Sequence, residues 1–267
     1  MTGLARDPAW VHPRTLAEIN RGAIAARRAV ASLGGTARFT ELIEAGATEH
    51  SLRAALREGA LIRPHRGTYV VPGIARWEAL AEIFRATATC VTRCDALGLP
   101  LLRNHDTAHL LVPRDRSASR PSQRPVAEVT LHRHDGIDRA YAESVAGAID
   151  LAGACLEPRE QLALVDAAAR RGFLSAAQLR NFRVSRDARR AFLRDHMDAR
   201  SESISETFAR LALKEAGLNV DPQRSLIRST RTDLVVENFI ALEVDSKKHH
   251  ADWDAQRADR SRDRHCH

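Results

Sequence analysis

Three acids and a lysine near the C-terminus have the spacing of a metal-dependent phosphodiesterase site. Glu243, Asp245 and Lys247 alternate with Val244 and Ser246, so on an extended strand all three point to one face. Asp233 lies in the preceding apolar run, and the turn residues Glu237-Asn238 would fold that run back as a hairpin, towards Glu243. Clustered carboxylates such as Asp233, Glu243 and Asp245 can hold Mg²⁺, which polarises a phosphate and acidifies an attacking water. A lysine beside them can position or deprotonate that water, whereas arginine scarcely titrates. Only three of the 41 basic residues are lysines (Lys214, Lys247 and Lys248), so Lys247 stands out in a chain that otherwise writes arginine. The competing reading is a solvated, charged hairpin. Its apolar neighbours Leu234, Val235, Val236, Ile240, Ala241, Leu242 and Val244 speak for a buried sheet, where uncompensated acids would be costly.

A second constellation lies near the N-terminus and suits a polyanion. His50, Ser51, Arg53 and Arg57 fall on the polar side of a short helical run. Arg63, His65 and Arg66 flank the glycine turn of a β-prone segment just after it. Arginine can bond a guanine edge bidentately or anchor a phosphate. Helix–turn–helix units also serve as scaffolds, but here the arginines gather where two DNA-facing elements would meet.

The elements that must position these residues follow from pattern. A helix is expected over 15–33, where Leu16, Ile19, Ala23, Ile24 and Val30 recur at helical spacing and Gly34-Gly35 stops it. Short helices follow over 40–45 and 49–58, the latter capped by Thr48. Strands over 61–63 and 68–71 form a hairpin. Three helices and a hairpin make a winged helix, in which the third helix enters the major groove and the hairpin lies on the backbone beside it. The middle of the chain reads as helices over 75–85, 90–99, 141–154, 159–171 and 175–182, with strands over 109–112 and 126–132. Beyond residue 199, Glu206 opens a helical run that Gly217 closes, and the strand-like runs 232–236 and 239–244 follow.

Composition narrows the partners. The net charge of +7 favours polyanions without proving any. Aromatic residues make up 4%, too few for a sheet that stacks single-stranded bases. No apolar run approaches a membrane span, and the first residues lack the apolar core of a signal peptide, so the cytoplasm is expected. Cys90 and Cys94 have no second pair to complete a zinc site, and with Cys155 and Cys266 they read as core or surface thiols. His132 and His134 share a strand face and read as a surface pair.

Two family resemblances sit on these residues. Ser201–Glu206 with the helix after it, Asp233-Leu234, Glu243-Val244-Asp245-Ser246, His249-His250 and the run Arg257, Asp259, Arg260, Arg262, Asp263 resemble the very-short-patch-repair-endonuclease-like branch of the PD-(D/E)xK nucleases. The N-terminal unit, with Gly67-Thr68-Tyr69-Val70 in its wing, is similar to the antitoxin domain of abortive-infection (AbiEi-type) type IV toxin–antitoxin systems. Actinobacterial proteins of this kind join the two halves. The resemblance implies that Glu206 is the helix acid, Asp233 the central metal ligand, Glu243 and Asp245 strand acids, and His249 or His250 a neighbour of the scissile phosphate. Both Glu243-x-Asp245 and Asp245-x-Lys247 fit the (D/E)xK element. Family members continue into a further helix and strand where this sequence stops, so the nuclease-like part is expected to be truncated, and inactive or completed by a partner.

The expectation is therefore an α+β protein. It has an arm over 1–14, a winged helix over 15–73, a mixed α/β middle over 74–198, and a restriction-endonuclease-like sheet over 199–267. Its expected function is a sequence-specific DNA-binding regulator or antitoxin with a degenerate nuclease-like domain, its partners double-stranded DNA and either a toxin or a second copy. The alternatives are an active Mg²⁺-dependent endonuclease of defence or repair, and a protein-interaction module.

Overall fold

A computed structural model describes residues 21–115, 125–225 and 231–245. The chain divides into two compact units, one of residues 1–93 and 103–143, the other of residues 94–102 and 144–267.

The first unit opens with α1 (Arg21–Ser32), β1 (Thr36–Arg38), α2 (Phe39–Glu44), α3 (Glu49–Arg57), β2 (Ile62–His65) and β3 (Thr68–Val70). This is the element order expected of a winged helix, with β1 added. In α1 the buried residues Ala23, Ala26 and Val30 recur every three or four positions. They pack with Leu42, Leu52, Ala54 and Ala55, and the small alanines on both helices let α1 and α3 lie close together. The sheet order is β1-β3-β2, antiparallel throughout. β1 is too short to show a period in sequence, and exists because β3 has a free edge to pair. Its Arg38 is held by an ion pair with Glu82. The register of β2 on β3 slips between Ile62 and His65. Pro64, which cannot donate to a ladder, sits in that irregular stretch of an edge strand.

Gly35 is a position that only glycine fills comfortably. Its φ is +89°, and a Cβ there would lie 2.7 Å from Ile74 Cδ1. Gly35→Ala is therefore expected to lower the stability of this unit by about 1–3 kcal/mol, read as a lower unfolding midpoint in urea.

The same unit continues with α4 (Arg76–Phe84), β4 (Thr87–Ala88), the start of α5 (Cys90–Ala96), β5 (Ala108–Val112), a 3-10 turn (Val126–Glu128), β6 (Val129–Arg133) and α6 (Arg139–Glu143). β5 is the central strand, antiparallel to β4 and parallel to β6. All five of its residues are buried, as a strand covered on both faces requires. Leu80, Ile83 and Phe84 of α4 pack against Ala88, Ala108 and Leu110. His132 is buried and His134 half-buried, so the expected surface pair is corrected: β6 turns His132 inward.

The second unit is built on α8 (Pro158–Arg170), buried along its length from Glu160 to Ala168. Around it lie α7 (Val145–Ala152), α9 (Ala176–Leu179), α10 (Asp187–His196) and α11 (Ile204–Glu215). Against α8 pack α7, α10 and α11, while α9 packs on α10. The sequence showed no α10, because its arginines and aspartates leave little apolar periodicity. A buried ion pair joins α8 to α11: Arg210 Nη2 lies 2.6 Å from Asp166 Oδ2, at 0% and 1% exposure. Burial pushes the Asp166 carboxyl above its ordinary range, and Arg210, the Asp198 N–H and Thr207 pull it back only in part. A three-stranded antiparallel sheet completes the unit: β7 (Val220–Ser225), β8 (Arg231–Val236) and β9 (Ile240–Leu242), in that order.

Candidate nucleic-acid interface

Thr48 and Ser51 start α3 with a reciprocal cap. The Ser51 N–H donates to Thr48 Oγ1 (3.1 Å), and the Thr48 N–H donates to Ser51 Oγ (3.0 Å). Ser51 Oγ also donates to the Thr48 carbonyl at 2.8 Å. The side chain is 9% exposed and fully engaged, so Ser51 does not stand on the polar face where sequence placed it. Leu52, Ala54 and Ala55 face the core. That leaves His50, Arg53 and Arg57, separated by three and then four residues, as one exposed row.

Arg53 pairs with Glu49 at 2.7 Å, but the two side chains are 76% and 60% exposed. Such a pair is worth little and releases readily to a stronger anion. The chain then turns through Gly59 into β2, the Ala60 and Leu61 N–H groups both donating to the Ala55 carbonyl. Arg63 is exposed on β2, and Arg66 is exposed at the tip beside Gly67, whose φ of +79° allows the tight return into β3. His65 is half-buried, with Nδ1 3.1 Å from the Arg66 carbonyl; since a carbonyl only accepts, that nitrogen donates. Six of the seven residues expected at this interface thus retain exposed or half-exposed positions on α3 and the hairpin.

Residues 25–72 match a family model described as "Transcriptional regulator, AbiEi antitoxin". The matched span takes in most of α1 and every element from there to β3. It contains all the cationic residues just described. Among solved structures, the chain is similar to the RV2827C protein from Mycobacterium tuberculosis. That likeness is 15% identity over 79% of this chain and 84% of that one, with a TM-score of 0.38. No curated protein matches the chain.

The C-terminal acids lie well outside the antitoxin match. β8 and β9 pair as a hairpin with Leu234 opposite Leu242 and Val236 opposite Ile240. Glu237, Asn238 and Phe239 make the turn: Glu237 and Asn238 have φ of +51° and +65°, and the Phe239 N–H donates to the Val236 carbonyl at 3.2 Å. Asp233 is half-buried one step beyond the last pair, and its Oδ2 accepts from the Val244 N–H at 2.9 Å. Glu206, at the start of α11, is 5% exposed. Its Oε2 accepts from the Glu202 N–H (2.9 Å) and from Gln223 Nε2 (2.8 Å). The same Gln223 nitrogen reaches Asp233 Oδ1 at 3.3 Å. Glu206 and Asp233 are thus brought to one place, linked by a glutamine to which the sequence had assigned no role.

Gln223 sits in β7 opposite Asp233, with φ at +54° and its Oε1 buried without a hydrogen-bond partner among the described residues. Nothing in the residue type foretold that backbone. Glu243 and Asp245 are exposed beyond the end of β9, and Lys247, His249 and His250 lie outside the described residues. The expectation of a buried second strand is corrected: Ile240, Ala241 and Leu242 are all exposed on β9, the outer strand of this sheet among the described residues. Asp233, Glu243 and Asp245 offer hard oxygens of the kind Mg²⁺ takes, but among the described residues their ligand atoms are not gathered closely enough to share one ion. No helix among the described residues is long and apolar enough to cross a membrane.

Proposed function

We propose that this chain is a DNA-binding transcriptional regulator of the antitoxin type, reading duplex DNA with α3 and the β2–β3 hairpin. The supporting observation is the exposed row His50, Arg53 and Arg57, followed by Arg63 and Arg66 on the adjoining hairpin, inside the span that matches the antitoxin regulator family. The row on α3 suits base edges in the major groove, and the hairpin arginines suit the flanking phosphates. The family's description as an antitoxin extends the proposal to a toxin protein as partner. The test is binding of the full chain to duplex DNA from upstream of its own coding region, measured over a range of salt. Binding that weakens steeply with salt and prefers that duplex over a scrambled one supports the reading. No binding to any duplex sinks it.

A second reading, favoured by the convergence of Glu206, Gln223 and Asp233, is a Mg²⁺-dependent endodeoxyribonuclease of the PD-(D/E)xK type. Asp233, Glu243 and Asp245 would hold the ion, which supplies Lewis-acid chemistry to a phosphodiester. In the first reading the same residues are a degenerate remnant. Supercoiled plasmid with Mg²⁺ separates them. The regulator reading expects intact plasmid, whereas nicking that Asp233→Ala abolishes would establish the nuclease.

A further inference from the structure

The β4–β5–β6 sheet carries a second cluster that neither reading uses. The parallel register sets His109 opposite Thr130 and Leu111 opposite His132, so the two histidines rise on one face from neighbouring strands. They are 5% and 7% exposed, and His109 Nδ1 lies 3.2 Å from His132 Nε2. Cys90 is fully buried. It follows Thr89, whose N–H donates to the His109 carbonyl at 3.0 Å, and this bond brings the thiol beside the imidazoles. The ligand atoms of Cys90, His109 and His132 all lie within 4.8 Å of one another. Cys90 is moreover held at φ +55°. That conformation costs a non-glycine residue roughly 1–2 kcal/mol, and a thiol serving only as core filler gains nothing from it.

The geometry points to a site in the first unit for one transition-metal ion of the Zn²⁺ class, bound by Cys90, His109 and His132. Two imidazole nitrogens on a tetrahedral zinc stand about 3.3 Å apart, given Zn–N bonds of about 2.0 Å, and the pair here already has that separation. A sulfur–nitrogen edge is about 3.6 Å, so the thiol closes in by at most about an ångström. One sulfur and two imidazoles discriminate against Mg²⁺ and Ca²⁺, which take oxygen. On binding, Cys90 gives its proton to solvent, and the ring proton between the histidines moves to the far nitrogen of the same imidazole. Both facing lone pairs then go to the metal. A water or a further thiolate completes the tetrahedron. The competing account is a plain hydrogen bond between two neutral rings, with a thiol as core filler.

The test uses the full-length chain, prepared without a histidine tag and loaded with Co²⁺ in place of Zn²⁺. One equivalent is expected, with tetrahedral visible bands and a thiolate-to-cobalt band in the near ultraviolet. Cys90→Ser should remove or halve the thiolate band and weaken binding at least tenfold, and His132→Gln should weaken binding similarly. Circular dichroism checks that both variants are folded. Cys266→Ser, in the histidine-rich C-terminal segment, should change nothing. Should the variants not fold, X-ray absorption of the wild-type zinc form decides. Two imidazole nitrogens with one or two sulfurs support the site, and a shell without sulfur overturns it. Uptake below about 0.1 equivalent by wild type also overturns it, as do bands that vanish in Cys266→Ser but survive in Cys90→Ser.

Discussion

Replacing Arg210 by Ala should destabilise the second unit by about 3–5 kcal/mol, the usual cost of stripping one partner from a buried ion pair. The guanidinium makes three bonds at once, to Asp166 Oδ2 (2.6 Å), the His196 carbonyl (2.7 Å) and Ser201 Oγ (3.1 Å). It thereby ties α11 to α8 and to the segment between α10 and α11. Without it, Asp166 keeps the Thr207 hydroxyl and the Asp198 N–H among the described residues, while burial goes on disfavouring its charge. The measurement is urea unfolding followed by helix circular dichroism, with Arg210→Ala compared against the double variant Asp166→Leu/Arg210→Met. The double variant should recover more than half of the loss, because no charge is left stranded. Equal losses in the two would show that packing, not the unpaired carboxylate, carries the effect.

Arg53→Ala combined with Arg66→Ala should lower DNA affinity by about 10- to 1,000-fold at fixed salt. A guanidinium on a base edge is worth about 1–3 kcal/mol, and one on a phosphate contributes a counterion-release term. The salt dependence should flatten by about one unit of log–log slope for each phosphate that is no longer neutralised. Stability should barely change, since Arg53 is 76% exposed in a weak surface pair and Arg66 stands at a turn tip. Arg224→Ala, exposed on the C-terminal sheet, is the control and should bind like wild type. Anisotropy titrations at several salt concentrations give affinity and slope together. Unchanged binding in the double variant would remove α3 and its hairpin from the interface.

The helices of the first 73 residues were legible because each carries its own punctuation. Glycines end them, Thr48 caps α3, and apolar residues repeat at helical spacing. The β8–β9 turn at Glu237-Asn238 was legible too, since asparagine tolerates the left-handed backbone such a turn needs. Local chemistry of this kind is written within a few residues. β1, β4 and α10 were not legible: two are too short to show a period, and the third is too charged to show an apolar face. Ser51 was misplaced because helical spacing alone does not reveal that a serine three residues after a threonine will turn back to cap it.

What the sequence determined unaided was the order of three helices and a hairpin near its N-terminus, β1 excepted, and the types of side chain available for chemistry. Their meeting was decided by tertiary structure. Glu206 and Asp233 meet only because Gln223, 17 residues from one and 10 from the other, spans them from a strained position in β7. Cys90, His109 and His132 meet only because β5 and β6 run parallel, a pairing that no two-residue turn can make and no short window of sequence encodes. Side chains far apart along the chain become neighbours through strand register and helix packing, which depend on the whole fold at once.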